Sequence, residues 1–489
     1  MKRTLWSISL FLCVSPLALT VFGAYELPRS AVRVSVTSQA YNFVEPWRKQ
    51  APRSRQALGA VIGDNRVLVT AELVQDHTYV EIEKPGTGAK TPAKVEVVDY
   101  SANLALISAS EPEFMSDFKP LRIGKPLKVG DEAEAWQLQK NDTLLRTDAL
   151  LTTVQIATYP KGDLSLLTYQ LTSSLPSRGG SFAVPLVRKG RLVGVVTRVN
   201  SEKQSMSAIP VDVIEHFLAD AEDGEYAGFP SLGISLSATR DPQFREYIGL
   251  PRDGGGVYVT SVTTGRPGQK AELQAGDVIE QVDGYEIDRH GNYEDRTYGR
   301  VYLSNLISVR CHAGDTLKLQ VRRNGERMDV EAVPQRKEFD DYVSPPYIVD
   351  TPPKFIIVGG LVIQELSGQY LQSWGQNWMQ KADQQLVYYH ANQATLFPKA
   401  DRKIVFLSRV LSTNATSGYS SLQQLVITKV NGRDIRGLHD VREALESPED
   451  GFHHFEFEDD PLRIAVAVKA IPQANLLLRR RYGIAILER

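Results

Sequence analysis

The stretch Leu171-Thr-Ser-Ser-Leu-Pro-Ser-Arg-Gly-Gly-Ser-Phe-Ala-Val-Pro-Leu-Val-Arg-Lys-Gly-Arg-Leu-Val-Gly-Val195 narrows the folds open to this chain more than any other. Two short apolar runs, 184–187 and 192–196, flank Arg188-Lys189-Gly190, and this spacing predicts a β-hairpin. Ser181 stands ahead of it, directly after Gly179-Gly180. Mobile glycine backbone lets several N–H groups converge on one point, as an oxyanion hole requires. The stretch predicts a strand-rich scaffold that presents a serine hydroxyl at a turn.

The surrounding residues agree. Between 30 and 218, short apolar runs at 57–62, 66–70, 79–83 and 93–98 alternate with turn residues, the pattern of an all-β sandwich or barrel. Residues 211–218 carry helical periodicity and predict a helix that closes the domain. The polar, Gly- and Pro-marked segment 221–230 reads as a linker. A second unit of mixed strands and helices follows from about residue 228 to 336. A third begins after the Pro-Pro breaks at 345–346 and 352–353. The two read as a weak internal repeat. Each opens on an apolar loop with glycine, Ser231-Leu-Gly-Ile234 and Gly359-Gly-Leu-Val-Ile363. Each later carries an apolar strand ending in a turn, Val278-Ile-Glu-Gln-Val-Asp-Gly284 and Leu425-Val-Ile-Thr-Lys-Val-Asn-Gly432. With 489 residues, three domains can each bury a core.

Composition excludes some classes of function. A formal net charge of −2 gives no basic field to recruit nucleic acid. No Cys/His or paired-carboxylate spacing suggests a metal, and no cofactor motif occurs. Lys2-Arg3, an apolar run from Leu5 to Thr20 and the small residues near Ala24 predict a signal peptide over 1–24. The chain is therefore expected to be exported, periplasmic or secreted, with an uncleaved signal serving as membrane anchor as the alternative. Only Cys311 then remains of the two cysteines, so no internal disulfide forms. Cys311 reads as a buried residue of a strand at 303–311.

The 171–195 stretch resembles the nucleophile strand of trypsin-like serine proteases of the HtrA/Deg family, with Ser181 at the nucleophile. Phe182-Ala183 replace the two glycines that follow it in the family. A gapped alternative puts Arg178 there instead. Two further motifs follow the family's order. Leu68-Val-Thr-Ala-Glu-Leu-Val74 matches the turn that carries the histidine, with Leu73 in its place. Asp99-Tyr-Ser-Ala-Asn-Leu-Ala-Leu-Ile107 matches the segment of the acid, with Asn103 in its place. The resemblance implies the fold and argues against the activity. Loss of the histidine alone costs subtilisin about 10⁶ in turnover, about 8 kcal/mol of barrier. Leucine has no proton to exchange. Replacement bases are His77, four residues after Leu73, and the lysines Lys161 and Lys189, which read as exposed turn residues.

Residues 226–338 resemble the PDZ domain that follows HtrA/Deg protease domains. Ser231, Leu232, Gly233 and Ile234 match its carboxylate-binding loop, and Gly256-Val-Tyr-Val-Thr-Ser-Val262 a core strand. The resemblance implies that the loop's N–H groups capture a peptide's C-terminal carboxylate while the peptide adds as a strand near Ile234. A groove closed to ligands and used only for packing is the other reading. Residues 345–480 resemble the second, degenerate PDZ domain of the plant and fungal Deg proteases, through Phe355-Ile-Ile-Val-Gly-Gly-Leu-Val-Ile363, Ile404-Val-Phe-Leu-Ser-Arg-Val-Leu411 and Phe455-Glu-Phe-Glu-Asp459. The family uses that domain for intramolecular and subunit contacts. An insertion at 370–399 brings Trp374, Trp378, Tyr388 and Tyr389, read as packing residues.

The expected fold is mainly β with some α: a trypsin-like double β-barrel over 30–222 followed by two PDZ-like α+β domains. The expected function is that of an exported pseudoprotease in protein quality control. It would bind peptide C-termini, misfolded chains or a catalytically competent partner protease. The family implies a homo-oligomer built on trimers. Two alternatives stand beside this: an active serine endopeptidase using Ser181 with an unorthodox base, and a structural envelope scaffold.

Overall fold

The computed structural model describes residues 29–139, 143–162, 164–175, 183–222, 224–251 and 253–489. Six strands, β1 (Ala31–Ser38), β2 (Arg53–Gly63), β3 (Arg66–Val69), β4 (His77–Glu83), β5 (Lys90–Asp99) and β6 (Leu104–Ala109), close a barrel in the order β1-β2-β3-β6-β5-β4. Val32, Val34 and Val36 of β1 point inward at every second residue, as a pleated strand with one buried face demands. One helical turn, α1 (Ala71–Val74), joins β3 to β4.

After the short β7 (Arg122–Ile123), a second set follows: β8 (Glu132–Leu138), β9 (Leu144–Thr158), β10 (Ser165–Ser173), β11 (Val184–Arg188), β12 (Arg191–Asn200) and β13 (Ser205–Pro210). Their order is β11-β8-β9-β10-β13-β12, and pairing of β11 with β12 closes the ring. The expected hairpin is this β11–β12 pair. Lys189 and Gly190 at its tip both have positive φ, 50° and 71°, the sense of turn that matches the twist of the flanking strands. Helix α2 (Val211–Glu222) ends the domain by burying Val213, Ile214 and Phe217.

The second unit contains β14 (Ile234–Ala238), α3 (Pro242–Tyr247), β15 (Val257–Val262), α4 (Pro267–Lys270), β16 (Val278–Val282), β17 (Tyr285–Glu286), β18 (Asn292–Asp295), β19 (Gly299–Tyr302), β20 (Leu317–Arg323) and β21 (Glu326–Ala332). Its sheet runs β14-β15-β16-β20-β21, with β17 on β16 and a separate β18–β19 hairpin. Residues 306–310 are helical, which corrects the strand expected there. β-Branched Ile307 and Val309 suggested a strand. Residues 305–309 are all buried, with α2 and β10 packed against 306–310, and that all-round packing decided the outcome.

The third unit repeats the second. It contains β22 (Phe355–Val358), β23 (Leu361–Glu365), α5 (Gly368–Gln372), α6 (Trp378–Lys381), α7 (Gln384–Leu396), β24 (Val405–Val410), β25 (Leu425–Val430), β26 (Arg433–Asp434), α8 (Leu438–Ala444), β27 (Phe452–Phe457), β28 (Arg463–Ala467) and α9 (Ile471–Tyr482). Strands β23-β24-β25-β27-β28 reproduce β14-β15-β16-β20-β21, and β26 sits on β25 as β17 does on β16. The insertion forms α5–α7. Trp374, Trp378 and Tyr389 pack on a cluster with Leu371 and Leu386, whereas Tyr388 is exposed.

The units dock on one another. One apolar core runs from the second barrel through Phe217 and Phe229 to Leu303 and Ile307 of the second unit. The segment expected to be a linker is pinned: Asp220 accepts from the Ala227 and Gly228 amides, and the Tyr226 hydroxyl donates to Asp99. From the first barrel, Phe43 and Trp47 pack against the third unit, where Glu45 pairs with Arg409 at 3.4 Å.

Candidate functional site

The two barrels meet where α1, the β5–β6 turn and the β9–β10 turn converge. Gly162 lies so close to Ser101 that an added Cβ would stand 2.9 Å from the Ser101 carbonyl oxygen. Asn103 is fully buried and holds a left-handed backbone, φ 54°. Its Oδ1 accepts from the Glu72 amide at 3.0 Å, and its Nδ2 donates to Glu72 Oε2 at 3.3 Å. Asn103 is therefore satisfied by a carboxylate-bearing residue, not by an imidazole.

Leu73 is fully buried among the first barrel's core residues, with Val36, Val69 and Ile107. Matching motifs placed Leu73 opposite Asn103; the side chain that reaches Asn103 is that of the preceding residue, Glu72. A short helical turn explains this, since successive residues point about 100° apart. Sequence reasoning missed Glu72, although a charged residue inside an apolar turn was the signal available.

Burial raises the Glu72 carboxyl above the usual range, against the Asn103 bond and the charges of Lys161, Arg198 and Arg55. Burial likewise lowers the Lys161 ammonium, against Glu72 and Asp76. Lys161 is a half-buried residue at the cleft and not the exposed turn residue expected from sequence. It lies over the Tyr347 ring, 4.6 Å from its centroid. Lys189 is exposed at the hairpin tip. Ser181 and Arg178 lie outside the described residues.

The eight histidines of the chain are all among the described residues. His77 opens β4, and its Nδ1 pairs with the Val74 carbonyl at 2.9 Å. His216 closes the trypsin-like domain, and the other six belong to the second and third units. None makes a hydrogen bond to Glu72 or Asn103.

The second candidate site is the loop before β14. Leu232 is buried, and Ile234 starts the strand. Gly233 has φ 69°, and a Cβ there would meet Arg266 Cβ at 2.4 Å, so only glycine fits. The loop is braced from behind. Leu232 O accepts from Gly268 N at 2.7 Å and Gly233 O from Thr263 N at 2.9 Å. Ser231 exchanges backbone bonds with Gln335. Arg266 beneath it donates to the Gln335 and Arg336 carbonyls and pairs with Asp341. The Leu232 and Gly233 N–H groups have no acceptor among the described residues. The outer edge of β14 likewise has no partner strand among them.

The matching loop of the third unit is closed. β22 pairs in full register with the edge of β23 that corresponds to the free edge of β14. The chain's last residues then pair with β22, Ile357 N donating to Leu487 O at 2.7 Å and Arg489 N to Phe355 O at 2.9 Å.

One cluster, His439, Asp440 and Glu443, has the spacing of metal ligands, but Arg433 already pairs with both carboxylates.

Two closed barrels that flank a cleft, followed by two copies of a five-stranded sheet with a glycine loop, define a trypsin-like protease fold carrying two PDZ domains. The chain belongs to the HtrA/Deg family. Models of the PDZ domain match residues 230–333 and 344–486. Protease Do-like 2, chloroplastic, of Arabidopsis thaliana is 28% identical over 465 residues, which is 93% of this chain and 74% of that one. Protease Do-like 4, mitochondrial, of the same plant is 24% identical over 86% of this chain and 77% of its own. Among solved structures, a variant of the HtrA-type protease AlgW with a decapeptide shares the fold. It has a TM-score of 0.50 and 16% identity, over 63% of this chain and 95% of that one.

Proposed function

We propose that this protein binds polypeptides and does not cleave them. The observation that carries the reading is the Glu72–Asn103 pair. A serine protease relay needs an imidazole to take the serine proton and an acid to hold that imidazole. Here the residue matching the acid is spent on a carboxylate neighbour. Binding falls to the first PDZ domain. Two free N–H groups at Leu232 and Gly233 suit a terminal carboxylate, and the open β14 edge suits an added strand. The decapeptide held by the AlgW variant supports this choice of ligand class.

The test has two arms. Turnover of an unfolded protein is compared between the wild type and Ser181→Ala, with equal and negligible rates expected. Labelling of Ser181 by a fluorophosphonate probe would overturn the reading. In the second arm, fluorescently tagged peptides with an apolar C-terminal residue are titrated with the full chain. Micromolar binding that is lost on amidating the peptide C-terminus is expected; no binding leaves the scaffold reading in its place. Export by residues 1–24 and assembly into homo-oligomers belong to the same proposal. N-terminal sequencing of the secreted protein and light scattering of the purified one check them.

A further inference from the structure

At the seam between the trypsin-like domain and the first PDZ domain, two imidazoles lie face to face. His216 of α2 and His312, just past the helix at 306–310, stack with ring centroids 4.0 Å apart and planes within 5° of parallel. Phe229 covers the other face of His216 at 4.3 Å. His216 is buried, and its Nδ1 lies 2.8 Å from the Val309 carbonyl oxygen. A carbonyl only accepts, so Nδ1 carries the proton of the neutral ring. Nε2 is shut off from solvent with no hydrogen-bond partner among the described residues. The neutral ring tolerates this arrangement. An imidazolium would bury a second N–H without an acceptor and set its charge against another imidazole.

We propose that the His216–His312 stack is an acid-sensitive latch: it holds the middle of α2 against residues 306–312 while His216 is neutral, and the seam loosens when His216 takes up a second proton. The surroundings set the sign. Burial holds the His216 imidazole below its ordinary range and His312 adds to this, against the Val309 carbonyl, Asp220 and Asp99. Those two carboxylates are already engaged, Asp220 by the Ala227 and Gly228 amides and Asp99 by the Ala102 amide and the Tyr226 hydroxyl. Arg336 lies over the Tyr226 ring. On the PDZ side, Arg310 is paired with Asp295, and Asp315 accepts from the His312 amide.

Asp212 and Glu215, on α2 itself, are pushed up by burial, and Asp212 receives the Tyr298 hydroxyl. Their protonation favours the docked seam and so opposes the latch. For His216 the docked value lies below the free one. Its contribution is therefore complete above about 6.5, the ordinary imidazole value, and is lost as pH falls below it.

Hydrogen–deuterium exchange on the full chain at pH 7.5 and 5.5, corrected for the intrinsic rate, tests this. In the wild type, residues 306–312 and 226–229 are expected to exchange several-fold faster at the lower pH, up to about tenfold. Protection of β6 should not change. His216→Phe keeps the stack without a titrating group, and His216→Gln keeps an N–H for Val309 without a ring. Neither should show the acid response. No rise in the wild type, or an equal rise in the wild type and both variants, would overturn the proposal.

Discussion

The two PDZ domains share a sheet, strand for strand, yet one presents an open edge and the other is shut. In the first, β14 borders solvent, with Ser235 and Ser237 exposed. In the second, β22 fills the equivalent position, α8 packs on both β22 and β23, and residues 487–489 pair with the outer side of β22 through a bridge at Glu488. A PDZ groove is a sheet edge waiting for a strand, so whichever segment pairs there first decides whether a peptide can bind. Here the second domain supplies that strand from its own chain, and the apolar faces of Phe355 and Ile357 are buried with it. The two domains repeat one fold and differ in whether that edge is already taken.

The largest expected effect comes from breaking the turn that folds β22 onto β23. Gly360 has φ 123°, and a Cβ there would meet the Leu411 carbonyl oxygen at 2.5 Å. Gly360→Val should cost the second PDZ domain about 4 kcal/mol, adding backbone strain to overlap. Differential calorimetry and exchange protection of β22 would show it; an unchanged unfolding transition would mean that β22 is not held by this turn. Next in size is deletion of residues 484–489. It removes the fully buried Ile484 and the backbone pairing to β22. A loss of about 3 kcal/mol is expected, read as a lower denaturant midpoint.

A smaller change should appear in binding. Gly233→Val forces Arg266 and the loop apart, and should weaken a C-terminal peptide at the first domain by about tenfold, about 1.4 kcal/mol. The deletion of 484–489 should leave that affinity within twofold. Both effects are measurable by fluorescence polarisation on the full chain. If the deletion instead adds a second peptide site, the shut state of the second domain is a removable plug, and the contrast between the domains becomes one of occupancy alone.

The legible parts of the fold are those where local pattern and burial agree. The strand at 79–83 with Val80 and Ile82 buried, the turn at Lys189-Gly190 and the repeat of the two PDZ domains were all readable because period-two burial and turn chemistry act within a few residues. The 303–311 segment was misread for the opposite reason: two β-branched residues outweighed a short helix that is buried all round and held by α2 and β10, which pack on it from elsewhere in the chain. The cleft was half legible. Asn103 was identified by its motif and is the buried partner of the pair. Glu72 was missed because a helical turn of four residues leaves one residue's rotation undecided until Leu73 finds the barrel core.

The sequence by itself determined the order of the three domains, the absence of an imidazole from the three motifs, and the glycine that the first PDZ loop requires. These follow from residue chemistry and short-range periodicity, which need no partner. Only the tertiary structure decided which side chain faces Asn103, that the linker after α2 is pinned, and that β22 fills the second PDZ edge while β14 stays open. Each of these is a choice among contacts distant in sequence. A strand edge or a buried amide carries no record in its own residues of what will come to satisfy it.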